Sequence, residues 1–99
     1  MTKYLSALVL AILFSLVGCA AIPIQQMSDA RQAFLAARQA DAEHYAPELF
    51  HEAQVLMDDA DRFLAERRYG LAGKVAERAR TVAIKARRKA VAATVGGVK

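Results

Sequence analysis

The chain has 99 residues, a formal net charge of +4, 56% hydrophobic content and a single cysteine. That length holds at most one domain with a modest core, and one cysteine leaves no intramolecular disulfide to staple it. Beyond residue 19 the only hydroxyls besides tyrosines are Ser28, Thr81 and Thr94. Nucleophilic catalysis needs a nucleophile, a base and an orienting group together, so the sequence offers no candidate enzyme site.

The first segment has the anatomy of an export signal over residues 1–18. Lys3 gives a short positive start, residues 5–17 are mostly apolar, and Gly18 is a small residue at the cut. The apolar stretch is shorter than the roughly 20 residues a transmembrane helix needs. Its end, Leu16-Val17-Gly18-Cys19, resembles the lipobox of bacterial lipoproteins. The resemblance implies that the Cys19 sulfur receives a diacylglyceryl group, that the leader is cut before it, and that the new amino terminus is acylated. These covalent lipids are the only prosthetic groups expected. Several acyl chains on one residue hold a membrane more firmly than the marginal, reversible binding of a single chain. Ala20 follows the cysteine where Asp would mark retention at the inner membrane, which resembles the class of lipoproteins sent to the periplasmic face of the outer membrane.

Residues 19–27 then read as the lipidated cysteine and a short tether. Ala20 to Met27 has no helical periodicity, and Pro23 biases its neighbour towards extended backbone. Residues 28–95 read as a helical domain. Ser28 and Asp29 are good N-cap types, and Ala30, Ala33, Phe34, Ala37 and Ala40 recur at three and four, predicting a helix over 29–43. Pro47 ends it, because the residue before a proline avoids the helical region, and suits the first turn of the next helix. The second helix, 47–68, carries Leu49, Ala53, Leu56, Ala60 and Phe63 as a core-facing stripe, widened by Phe50, Met57 and Leu64. Gly70 is the expected left-handed cap at its end. The third, 71–93, has Ala72, Ala76, Ala79, Ala83, Ala86 and Ala90 on one face. Gly96 and Gly97 are expected to stop it, leaving 96–99 as a flexible tail.

Charge divides between the last two helices. Residues 29–68 hold nine acids and five bases, whereas 69–99 hold one acid, Glu77, and eight bases. A turn at Tyr69 and Gly70 would place Asp61 near Arg78, Asp59 near Arg80 and Glu52 near Arg87. Each exposed pair of that kind contributes only about 0–1 kcal/mol, so together they select an antiparallel hairpin more than they stabilise it.

Two side-chain groups carry possible chemistry. His44, Glu48, His51 and Glu52 have metal-ligand chemistry, but zinc sites commit three or four ligands in tight geometry; a solvated helix start is the expected reading, with no metal. The run Lys85-Ala86-Arg87-Arg88-Lys89 is the sharpest surface feature. Lys85, Arg87, Arg88 and Lys89 could meet lipid head groups, lipopolysaccharide phosphates or cell-wall polymer, although cations near a helix C-terminus are favourable on their own. No aromatic side chains interleave for base stacking, and nucleic acid is not an expected partner.

Two resemblances follow from these residues. Met27-Ser28-Asp29-Ala30, Ala36 to Ala42, Tyr45-Ala46-Pro47-Glu48-Leu49, Ala53 to Leu56, Ala60, Tyr69 to Ala72 and Ala76 to Ala79 resemble the domain-of-unknown-function 4398 family of Gram-negative lipoproteins. In that family some members continue into an OmpA-like peptidoglycan-binding domain; the likeness here is to the helical part. Leu56, Ala60 and Phe63 with Tyr69, Ala72, Ala76 and Ala79 resemble one tetratricopeptide helical hairpin, whereas repeat arrays need about three units to bury a continuous core. The expected fold is therefore all-α, a small antiparallel hairpin or three-helix bundle after a signal helix. The expected function is a membrane-anchored envelope module without catalysis. The alternatives are an adaptor or subunit meeting a protein partner or a second copy, and a binder of anionic surfaces.

Overall fold

The computed structural model describes residues 2–19 and 22–97, with the side chains of 14–19 and 97 outside the description. Five helices follow one another, and no strand occurs among the described residues: α1 (Thr2–Cys19), α2 (Ile24–Gln39), α3 (Ala42–Tyr45), α4 (Pro47–Ala65) and α5 (Tyr69–Gly97). The protein is a small all-α bundle of α2 to α5. Among the described residues α1 packs on none of the other helices, and none of them is long and apolar enough to cross a membrane.

The bundle is organised around α5. Six of its alanines, Ala72, Ala76, Ala79, Ala83, Ala86 and Ala90, have no exposed surface. Steps of four and three keep them on one face, and methyl side chains let two helices approach that face together. Ala60 of α4 meets Ala76 and Ala79, whereas Phe50, earlier in α4, meets Ala86 and Ala90, so α4 runs antiparallel to α5. Met27 and Ala30 meet Ala76 and Ala79, and Ala37 meets Ala86 and Ala90, so α2 runs parallel to it. Phe34 and Phe50 join α2 to α4 by stacking at 4.9 Å between centroids, with the Arg38 guanidinium over both rings.

Several helix limits differ from the sequence expectation. The tether over 20–27 is shorter than expected, because α2 begins at Ile24. Pro23 stands at the N-cap, its carbonyl accepting the Met27 amide at 3.1 Å. Met27 is only 3% exposed, and burying it extends the helix more than a turn towards the N-terminus. Ser28 and Asp29 are thus inside α2, where Asp29 accepts a hydrogen bond from Gln25 at 2.8 Å. The expected helix over 29–43 is also divided. Asp41 adopts left-handed backbone at φ 61°, a region that Asp tolerates better than most residues, and one turn of α3 follows. Ala42 and Ala46 on either side of that turn are both buried against Ala86 and Ala90.

The expected cap at Gly70 is overturned. α4 ends at Ala65, three residues before the expected limit of 68, and the left-handed residue is Arg67 at φ 61°. The Arg68 amide donates to the Phe63 carbonyl at 2.8 Å and the Arg67 amide to the Leu64 carbonyl at 3.0 Å, the paired bonds of a Schellman motif. Gly70 lies within α5, which starts two residues before the expected 71 and runs through Gly96 and Gly97 rather than stopping before them. The rest of the expected tail lies outside the described residues. In α4 the buried stripe is Phe50, Ala53, Met57 and Ala60; Leu49, Leu56, Phe63 and Leu64 are half-buried beside it.

Candidate functional site

The alanine face of α5 determines where its charges go. With that face closed by α2 and α4, the bases Lys74, Arg78, Arg80, Lys85, Arg87, Arg88 and Lys89 are left on the remaining surface, and all seven are exposed. None of them is in an ion pair among the described residues. The three pairs that form are Arg31 with Asp61 at 3.1 Å, Arg62 with Asp59 at 3.5 Å and Arg68 with Glu66 at 3.9 Å. Each is solvent-exposed and contributes about 0–1 kcal/mol.

These pairs replace the cross-hairpin set expected from the sequence. Asp61 reaches across to α2 rather than to Arg78, and Asp59 pairs within α4 rather than with Arg80. Glu52 borders an open groove with Lys74, Glu77, Arg78, Thr81, Val82 and Lys85, not with Arg87. The cause is the earlier turn: with α4 ending at Ala65 and α5 starting at Tyr69, each α4 residue faces an earlier part of α5 than expected.

The basic run of 85–89 is continuous in sequence but divided on the helix. Lys85 shares the groove with Lys74 and Arg78. Arg87 lies seven residues from Arg80 and so on the same flank as that residue, while Arg88 and Lys89 extend the outer surface. The sequence reading did not single out Lys74, and it named Arg78 only as a partner for Asp61, since both lie outside the continuous run. Their signal is that they fall between the alanines at the complementary helical spacing.

The other candidate residues do not converge. His44 belongs to α3 and meets Tyr45 edge-on, with ring centroids 4.7 Å apart. Ala46, with φ −142°, separates it from Glu48, His51 and Glu52 on α4. Among the described residues no group of three His, Cys, Asp or Glu side chains could hold a metal ion. Thr81 and Thr94 donate their hydroxyls to backbone carbonyls of their own helix, Thr81 to Glu77 at 3.1 Å and Thr94 to Val91 at 3.0 Å. The Cys19 side chain, the expected lipid site, lies outside the described residues. Comparison with protein-family models, with curated proteins and with solved structures finds no match for this chain.

Proposed function

We propose that this chain is an envelope lipoprotein, anchored through lipid on Cys19 at the periplasmic face of the outer membrane. Its helical bundle is a structural or interaction module without catalysis. One structural observation carries the reading together with the lipobox. Every core residue lies between Met27 and Ala90, while α1 has only exposed side chains among those described and packs on none of the other helices. Among the described residues the bundle therefore does not depend on α1, as cleavage of a leader requires. The family resemblance to domain-of-unknown-function 4398 lipoproteins supports the same reading. The threonine hydroxyls, occupied by their own helix backbone, support a non-catalytic role.

The test is Cys19→Ala. Native protein is expected in the membrane fraction with an acylated mass beginning at Cys19, and the variant is expected to be released from it. A native mass that retains the initiator methionine, or an unmodified sulfhydryl at position 19, would refute the reading.

One observation favours a more specific role as an adaptor or self-associating subunit. Among the described residues of α5 none beyond Ala90 is buried, leaving Val91 and Val95 41% and 67% exposed on a projecting helical end. If that end closes against a second copy, the thermal midpoint of residues 20–99 rises with protein concentration; a midpoint independent of concentration excludes self-association.

A further inference from the structure

We infer that the anchored protein lies along its membrane with α5 downwards, the outer cationic face of that helix resting on anionic phospholipid head groups of the leaflet that holds Cys19. This rests on the lipid-anchor reading and adds a second point of attachment to it.

The position of the anchor relative to the charges carries the argument. Pro23 packs on α5 at Gly73, so closely that a Cβ on Gly73 would stand 3.1 Å from the Cβ of Pro23. From Cys19 to Pro23 is four residue steps, at most about 14 Å even when extended. The lipid is thus held near the start of α5, next to Lys74, the first base of the cationic face. Lys85 and Lys89 lie roughly 18 and 24 Å further along the helix, at 1.5 Å per residue.

If the bundle stood upright, those distances would put the 85–89 run at least two Debye lengths from the surface, taking about 8 Å at physiological ionic strength. Its charge would then hardly interact with the leaflet. If α5 lies down, the same bases enter the head-group region. A base near an anionic leaflet strengthens association about fivefold, and because the lipid already holds the protein there, this second contact is intramolecular.

Charge on the rest of the molecule points the same way. The elements over 22–68 carry nine acids against five bases, whereas α5 carries one acid, Glu77, against seven bases. Ions paired between those elements, Arg31 with Asp61, leave the α5 bases free. With α5 down, Asp61, which reaches across to Arg31 of α2, faces the aqueous side, whereas Glu52 borders the basic groove.

The experiment uses purified, processed protein in phosphatidylcholine vesicles with and without phosphatidylglycerol. An acylated Cys19 has no thiol, so a fluorescent label attaches at a single introduced cysteine. Thr81→Cys places it in the groove of Lys74, Arg78 and Lys85, which Glu52 and Glu77 also border. Gln54→Cys places it on α4, seven residues from Asp61 and hence on the side that meets α2. With phosphatidylglycerol at low salt, the Thr81 label should be less accessible to a water-soluble quencher than the Gln54 label. High salt, omission of phosphatidylglycerol, or the combined substitution Lys85→Glu, Arg88→Glu and Lys89→Glu should each remove the difference. Equal accessibility of the two labels on anionic vesicles overturns the inference, as does a difference that persists in phosphatidylcholine alone. The mass of the same sample separates the two readings. An unacylated protein fails the anchor itself, and with it this inference; an acylated protein with equally accessible labels fails only the orientation.

Discussion

The turn between α4 and α5 makes a prediction opposite in sign to the one drawn from sequence alone. A residue other than glycine in left-handed backbone costs roughly 1–2 kcal/mol, and Arg67 is in that region at φ 61°. Arg67→Gly relieves this strain but adds freedom to the unfolded chain, which returns about 0.4–1 kcal/mol. The net expectation is a gain of roughly 0.5–1 kcal/mol. Gly70 is helical and has no heavy atom within 4 Å of where a Cβ would stand. Gly70→Ala should therefore also stabilise, by about 0.5–1 kcal/mol. Urea denaturation of residues 20–99, followed by far-ultraviolet circular dichroism, reads both as increases in the transition midpoint at unchanged slope. A turn centred at Tyr69 and Gly70 would instead make Gly70→Ala destabilising and Arg67→Gly a loss of helix propensity. Those two signs together would refute the observed turn and the hairpin register that depends on it.

The alanine face and the aromatic bridge can be tested in the same assay. Ala79→Leu forces extra methylenes between α5 and the Met27 and Met57 side chains and should destabilise by about 1–3 kcal/mol, while Thr81→Leu, two residues on and exposed, should stay within about 0.5 kcal/mol of the native protein; equal effects would refute the buried face. Phe50→Ala removes the ring stacked on Phe34 from a site only 4% exposed and should cost about 3–5 kcal/mol, a large part of what so small a core supplies; a loss below about 1 kcal/mol would mean that α4 does not pack as described.

How far the sequence disclosed this fold depended on whether a feature was local. The alanines of α5 recur at three and four over the whole helix, and this regularity made the all-α class and the buried face legible. Met27 was not legible in the same way. Ile-Pro-Ile-Gln-Gln-Met has no period, and its burial depends on a space between α4 and α5 that exists only after the bundle forms. The turn was misplaced because glycine is the usual left-handed residue, whereas Arg67 accepts the strain and lets Phe63 and Leu64 satisfy their carbonyls one turn earlier. The ion pairs then differed as a consequence, since Asp61 at the shifted register is beside Arg31. Of the candidate site, the run 85–89 was visible as a run. Lys74 and Arg78 became part of the same surface only once the alanine face fixed which way α5 is turned.

That division of charge follows from topology more than from any individual pair. A helix packed on one neighbour has a wide polar sector on which acids and bases can mix. α5 is closed by α2 and α4 on a face with no side chain larger than methyl, so the two helices approach closely and narrow the sector left to solvent. Bases on α5 are thereby left on its outer surface, where Glu52 and Glu77 share a groove with Lys74, Arg78 and Lys85 but form no ion pair with them among the described residues. The exposed pairs that do form stay among α2, α4 and the turn. The methyl face of α5 thus contributes to a thin body with two electrically different sides. If Cys19 holds the protein to a bilayer as proposed, that difference acts as a torque, which turns the positive side towards an anionic leaflet before any specific contact is made.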